Sequence, residues 1–187
     1  MAILIEIIAV LFGIVYVVLA SKNNNFCWIF GIIGSAISIY LFIVYAKLYA
    51  EALLYFYYVI AGIYGWIIWK KQKVSDEVYQ HSLYKHIIII TIGALLSFTL
   101  YKMVIYFFVD AQRPLIDSFT TIFSFIATYL TAKKWIENWL YWVVIDLVST
   151  FLYFSRGLEI YALLMVANTI IALYGYFSWK KLIVVNK

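Results

Sequence analysis

The segment 137–146 reads ENWLYWVVID, and on a helix Trp139, Trp142 and Asp146 share one face because their spacing is i, i+3, i+7. Aromatic rings attract cations through their faces, and a buried acid supplies the countercharge. The chemistry this spacing offers is therefore a site for a flat, positively charged ligand. A carboxylate at the middle of a bilayer costs roughly 2.5–3.5 kcal/mol on insertion scales, and such acids usually line a cavity. The alternative for Asp146 is a packing carboxylate, satisfied by a neighbouring hydroxyl or by Lys102. Trp139 suits an interfacial anchor, whereas Trp142, a turn deeper, reads as a wall of the site.

A second stripe runs through Glu51, Tyr55, Tyr58 and Gly62, at i, i+4, i+7 and i+11. Tyrosines at that spacing are more often core than site, yet each buried hydroxyl still needs a partner. Asn168, Thr169 and Tyr174 add polar groups near the end of the chain. Gly31, Gly34 and Ser35 read first as a close helix contact, with Ser38 beside them.

The elements that carry these residues must sit in lipid. The chain is 67% hydrophobic and only 12% charged, with a mean hydropathy of +0.97. A soluble domain is about 25% charged, so that class is excluded. Apolar runs long enough to cross a bilayer are expected at about 2–20, 27–46, 49–69, 87–109, 115–132, 138–155 and 159–179. Short polar breaks separate them, and Pro114, the single proline, falls in one. The first run lacks a basic leader and carries Glu6, so it is expected to be a retained helix. One cysteine, Cys27, allows no internal disulfide, and no cofactor or metal is expected.

Charge gives a direction. Loops reached after an odd number of spans hold ten lysines, among them Lys22, Lys70, Lys71, Lys133 and Lys187; the other side holds Lys47, Arg113 and Arg156, with Lys102 inside the fourth span. Basic residues gather on the cytoplasmic side, so the amino terminus is expected outside and the carboxyl terminus inside. The net charge of +5 is then a topology signal and calls for no nucleic acid.

Laying 47–71 over 157–181 gives ten identities in 25 positions, ending in a shared Tyr-Gly-x-x-x-Trp-Lys-Lys. Shared membrane composition inflates identity among Leu, Ile and Ala but does not explain that ending. Both copies run outward to inward, and two parallel three-helix units need one further span to join them. The expected organisation is all-α and 3+1+3: residues 1–71 as one repeat, 72–114 as a cytoplasmic loop and linker helix, 115–187 as the second repeat. Transporters built from such repeats bind substrate near the midplane where the repeats meet.

The runs KLYAEALLYFYYVIAGIYGWIIWKK (47–71) and KKWIENWLYWVVIDLVSTFLY (133–153) resemble the signatures of the PnuC family of bacterial vitamin transporters. The resemblance implies seven helices arranged like a full-length SWEET-type protein, in the inner membrane, with facilitated diffusion and a cytoplasmic vitamin kinase as the trap. It also implies a homotrimer. Asn138, Trp139 and Trp142 match the family motif as they stand. Members that take up nicotinamide riboside typically carry glutamine where this chain has Tyr55, and asparagine where it has Gly62 and Asp146. Replacement of an amide by a full charge points to the thiamine branch first, with nicotinamide riboside as the alternative. A membrane enzyme is the rival of another class; no Ser/His pair or His/Glu metal motif falls within a span, and both histidines, His81 and His86, fall in the loop after the third.

Overall fold

The computed structural model describes residues 2–46, 49–71, 77–107, 113–155 and 159–183. The side chain of Glu51 and the residues Lys47, Lys73, Arg156 and Lys187 lie outside that description. Within it the helices are α1 (Ala2–Ser21), α2 (Cys27–Tyr40), α3 (Tyr49–Lys71), α4 (Leu83–Phe107), α5 (Pro114–Ala132), α6 (Asn138–Ser155) and α7 (Glu159–Lys180). A π-helical segment, Leu41–Ala46, continues α2.

Each expected span has its helix, with informative differences at the ends. Pro114 begins α5, its fixed φ and missing N–H being tolerated at a first turn, after Arg113 in a left-handed conformation with φ 54°. α4 begins at Leu83, so His86 belongs to that helix and is buried there. The polar sequence around it hides this start, because helix can continue beyond the apolar run. Among the described residues, six helices are long and apolar enough to cross a membrane; α6, an 18-residue helix carrying Asn138 and Asp146, falls short of that measure.

α1, α2 and α3 pack in order, as do α5, α6 and α7. α3 then packs on α5 and α1 on α7, which closes six helices into a ring, while α4 lies outside against α5. A Cβ on Gly93 of α4 would stand 2.9 Å from atoms of Phe123 and Ile126, so a small residue permits that close approach. The outward faces are apolar: Leu53 is 70% exposed and Leu163 69%, while their neighbours Ala52 and Ala162 are buried. Hydrocarbon is the environment that suits such a surface. The chain is a multi-pass membrane protein.

One end of the ring is filled by indoles. Trp28 and Trp69 meet edge to face with centroids 5.4 Å apart at 87°, and Trp139 and Trp179 repeat this at 5.4 Å and 88°. Trp69 of α3 donates its Nε1–H to the carbonyl of Ala132 at the end of α5 (3.1 Å), and Trp179 of α7 donates to Ala20 at the end of α1 (3.0 Å). Gly65 and Gly175 seat these rings, since a Cβ at either would overlap the indole of Trp28 or Trp139. That is the physical content of the Tyr-Gly-x-x-x-Trp ending.

A strap of chain crosses this end. The Val78 amide donates to Leu182 (3.2 Å), Tyr79 donates to Lys134 (2.9 Å), and the Ile136 amide donates to Tyr79 (2.9 Å). The Val78 side chain is fully buried in the indole cluster. The carboxylate of Glu137 accepts from the His81 amide at 2.8 Å and lies 3.6 Å from the His86 ring.

Candidate functional site

Two adjoining cavities lie inside the ring, above the indole layer. The larger, about 330 Å³, is lined by Tyr55 and Tyr58 of α3, Trp142 of α6 and Asn168 of α7, with Glu6 and Tyr161 also on its wall. The smaller, about 80 Å³, is lined by Trp139, Trp142 and Asp146 of α6, by Asn168, and by Tyr16 and Thr131. Tyr16, Trp142 and Asn168 face both. Helices of both three-helix groups thus line these adjoining cavities.

Three residues of the α3 stripe, Tyr55, Tyr58 and Gly62, share the face that lines the larger cavity. Tyr55 and Tyr58 meet at right angles with centroids 5.6 Å apart, and Phe42 stands 5.3 Å from Tyr55. Phe42 and Leu41 reach the cavity from the π-helical segment, a distortion that often accompanies functional sites. Gly62 also lines the space, and a Cβ there would press on Ile32 at 2.7 Å. Tyr57, off the stripe, turns away and donates to the carbonyl of Phe125 at 2.7 Å.

On α6 the residues separate by role. Trp142 is half-buried, and its Nε1 lies 3.4 Å from the Thr131 hydroxyl. That hydroxyl also approaches the Asn138 side-chain oxygen at 3.0 Å, and the Asn138 Nδ2 donates to the carbonyl of Trp135 at 2.6 Å. Asn138 is fully buried behind this bracket and lines neither cavity. Trp139 is 2% exposed and wedged against Gly175 and Trp179, so the expectation of an interfacial anchor is corrected. The reason is the glycine, which makes a slot for the ring inside the bundle.

Asp146 is buried, and among the described residues no hydrogen bond or ion pair reaches its carboxylate. The Thr150 hydroxyl donates to its backbone carbonyl, not to its side chain. Lys102, the alternative partner, sits exposed on α4 over the rings of Phe98 (5.3 Å) and Tyr101 (5.7 Å). In α7, Asn168 faces the cavities, Thr169 bonds back to the carbonyl of Met165, and Tyr174 points outward. Gly31 and Gly34 do make the α1–α2 contact, against Tyr16 and Phe12.

Sequence reasoning missed Tyr16, Thr131 and the pair Glu6–Tyr161. A signal for one was present: the overlay of 47–71 on 157–181 places Tyr161 opposite Glu51, and Asn168 opposite Tyr58. Thr131 had a signal of its own, since Ser124, Thr128 and Thr131 are spaced i, i+4, i+7 and share one face, whereas Tyr16 stands alone in its run.

Comparison with known proteins agrees with this architecture. The model of a family described as nicotinamide mononucleotide transporter matches residues 3–181. The nicotinamide riboside transporter PnuC of Escherichia coli (strain K12) is 26% identical over 202 residues, covering 94% of this chain and 84% of that protein. The protein of the same name from Neisseria mucosa is 25% identical over 190 residues, covering 94% and 72%. A crystal structure of the vitamin B3 transporter PnuC shares the fold, with a TM-score of 0.74 at 21% identity over 94% of this chain and 80% of that one. The chain belongs to the PnuC family, whose members are membrane transporters rather than enzymes.

Proposed function

We propose that this protein carries nicotinamide riboside across the bacterial inner membrane by facilitated diffusion, with a cytoplasmic kinase trapping the product. The observation that carries this reading is the match of 94% of the chain to relatives named for that riboside. The cavity supports it: about 330 Å³ suits a nucleoside-sized ligand, aromatic rings suit the flat pyridinium, and Asn168 and the tyrosines suit ribose and amide.

Thiamine yields first place. Asp146 suits any flat cation, so its charge does not choose thiazolium over pyridinium, and the relatives described above bear the riboside's name. In this proposal the substrate contacts are Trp142, Asp146, Tyr55, Tyr58 and Asn168, with Trp139 as the floor.

The matched indole pairs, with their reciprocal bonds to Ala132 and Ala20, support a 3+1+3 parallel repeat of the SWEET type with α4 as the joining span. The lysines beside the indole layer support that end as the cytoplasmic one, which puts the amino terminus outside. A homotrimer fits the exposed apolar faces.

Uptake into liposomes tests the function. Saturable equilibration of the riboside, without accumulation, is expected. Thiamine uptake with no riboside uptake would restore thiamine, and uptake of neither would end the proposal.

A further inference from the structure

Two carboxylates face the ligand space at different depths. Asp146 lines the smaller cavity, whereas Glu6 lines the larger one. Glu6 precedes Tyr16, which faces both cavities, by ten residues of α1, or about 15 Å of helix. Glu6 therefore stands toward the end of the ring opposite the indole layer. It is half-buried, and among the described residues no lysine or arginine pairs with it. The Tyr161 hydroxyl donates to its Oε1 across the gap between α1 and α7. Tyr161 lines the same cavity, with the Tyr153 ring 5.7 Å behind it.

An acid half-buried in an apolar span is costly, and packing alone does not call for one. Here it is fixed by a hydroxyl from the other three-helix group, beside a space that suits a cation. We propose that Glu6, held by Tyr161, selects substrate by charge: it captures the cationic riboside before the ring reaches Trp142. Glu6 makes the contact, and Tyr161 is its positioning residue. The inference rests on the riboside reading above and adds a residue to it. A cleft of one sign concentrates opposite charge and speeds capture, an effect that fades as salt rises.

The test uses the full chain in liposomes and two probes of nearly one shape. The oxidised riboside is a cation; its dihydro form has accepted a hydride and is neutral, with the amide and ribose kept. Initial uptake of both is compared for wild type, Glu6→Gln, Glu6→Asp and Tyr161→Phe. For the cation at low salt, Glu6→Gln is expected to raise KM about five- to tenfold with kcat little changed, and the loss should shrink in high salt. The dihydro form should shift less than about twofold. Glu6→Asp should keep the preference for the cation, and Tyr161→Phe should weaken it about two- to threefold. Equal effects of Glu6→Gln on both probes, or none on either, would overturn the proposal. If Glu6→Gln does not fold, Tyr161→Phe still decides it, because an unchanged preference for the cation, or an equal loss of uptake for both probes, counts against the proposal. Absence of riboside uptake by wild type would instead defeat the functional reading itself.

Discussion

Trp142 points its indole N–H at the hydroxyl of Thr131, 3.4 Å away, so a ring that lines both cavities is aimed by the helix before it. Stacking and aiming can then be separated. Trp142→Ala removes the wall and should weaken every flat ligand by about 2 kcal/mol, or about thirtyfold. Thr131→Val keeps the wall but frees it, and a loss of about 1 kcal/mol, or roughly fivefold, is expected. Calorimetric titration of purified protein reads both. Equal losses in the two variants would mean that the bracket, and not the ring, sets affinity.

Among the described residues the carboxylate of Asp146 has no hydrogen-bond or ion-pair partner to lose. Asp146→Asn should therefore stabilise the empty protein, by about 1–2 kcal/mol, since an unpaired buried charge is removed. Affinity for a cationic ligand should fall by up to about thirtyfold, while the neutral dihydro riboside is unaffected. Melting curves with and without ligand measure the two effects together. A lower melting temperature for the empty variant would show that the acid has a structural partner.

Gly65 and Gly175 seat equivalent indoles, so Gly65→Ala and Gly175→Ala should destabilise by similar amounts, about 1–3 kcal/mol each. Gly13→Ala is the control, for a Cβ there meets nothing within 4 Å. It should be neutral or slightly stabilising, by up to about 1 kcal/mol. Thermal unfolding in detergent distinguishes these cases, and a Gly13→Ala as damaging as the others would remove the steric explanation.

His81 lies outside the spans, in the strap. Burial lowers its pKa below the ordinary value, and the Lys85 ammonium, 3.1 Å from Nδ1, pushes the same way, against the pull of Glu137. Protonation is thus disfavoured in the folded strap. The stability it lends is present above about pH 6.5 and is lost as pH falls through that region. Hydrogen exchange at the Val78 and Tyr79 amides, corrected for intrinsic rates, should show more opening at about pH 5.5 than at about pH 7.5. His81→Asn should abolish most of the difference, and its persistence would assign the effect to another group.

Cys27 is fully buried, so a membrane-impermeant thiol reagent should leave it untouched in intact cells. A cysteine at exposed Arg113 should react, and one at exposed Lys71 should not. The reverse pattern would invert the proposed topology.

The helices were legible because apolar length in lipid is a one-dimensional property. α6 breaks that rule at Asn138 and Asp146, and it is the helix richest in site residues. The faces of α3 and α6 were legible through the spacing of Tyr55, Tyr58, Trp142 and Asp146. What a spacing does not convey is which side of a ring is already taken. Asn138 is spent on Thr131 and Trp135, and Trp139 on the slot above Gly175, and neither fact exists before the helices meet. Pairs that span the chain, such as Glu6 with Tyr161, leave no local trace at all.

The bond from Trp179 to Ala20 also has a history in time. Its two ends are 159 residues apart, so Ala20 is made and inserted long before its partner exists. During synthesis the Ala20 carbonyl has only the Asn23 amide of its own turn and waits for its indole, whereas α5 receives Trp69 from a helix already in place. The last helix therefore acts as a bolt on the first. Damage at the carboxyl end, by truncation after α6 or a fusion that displaces Trp179, should register at the opposite end of the sequence, as a nascent bundle whose first helix was never fastened.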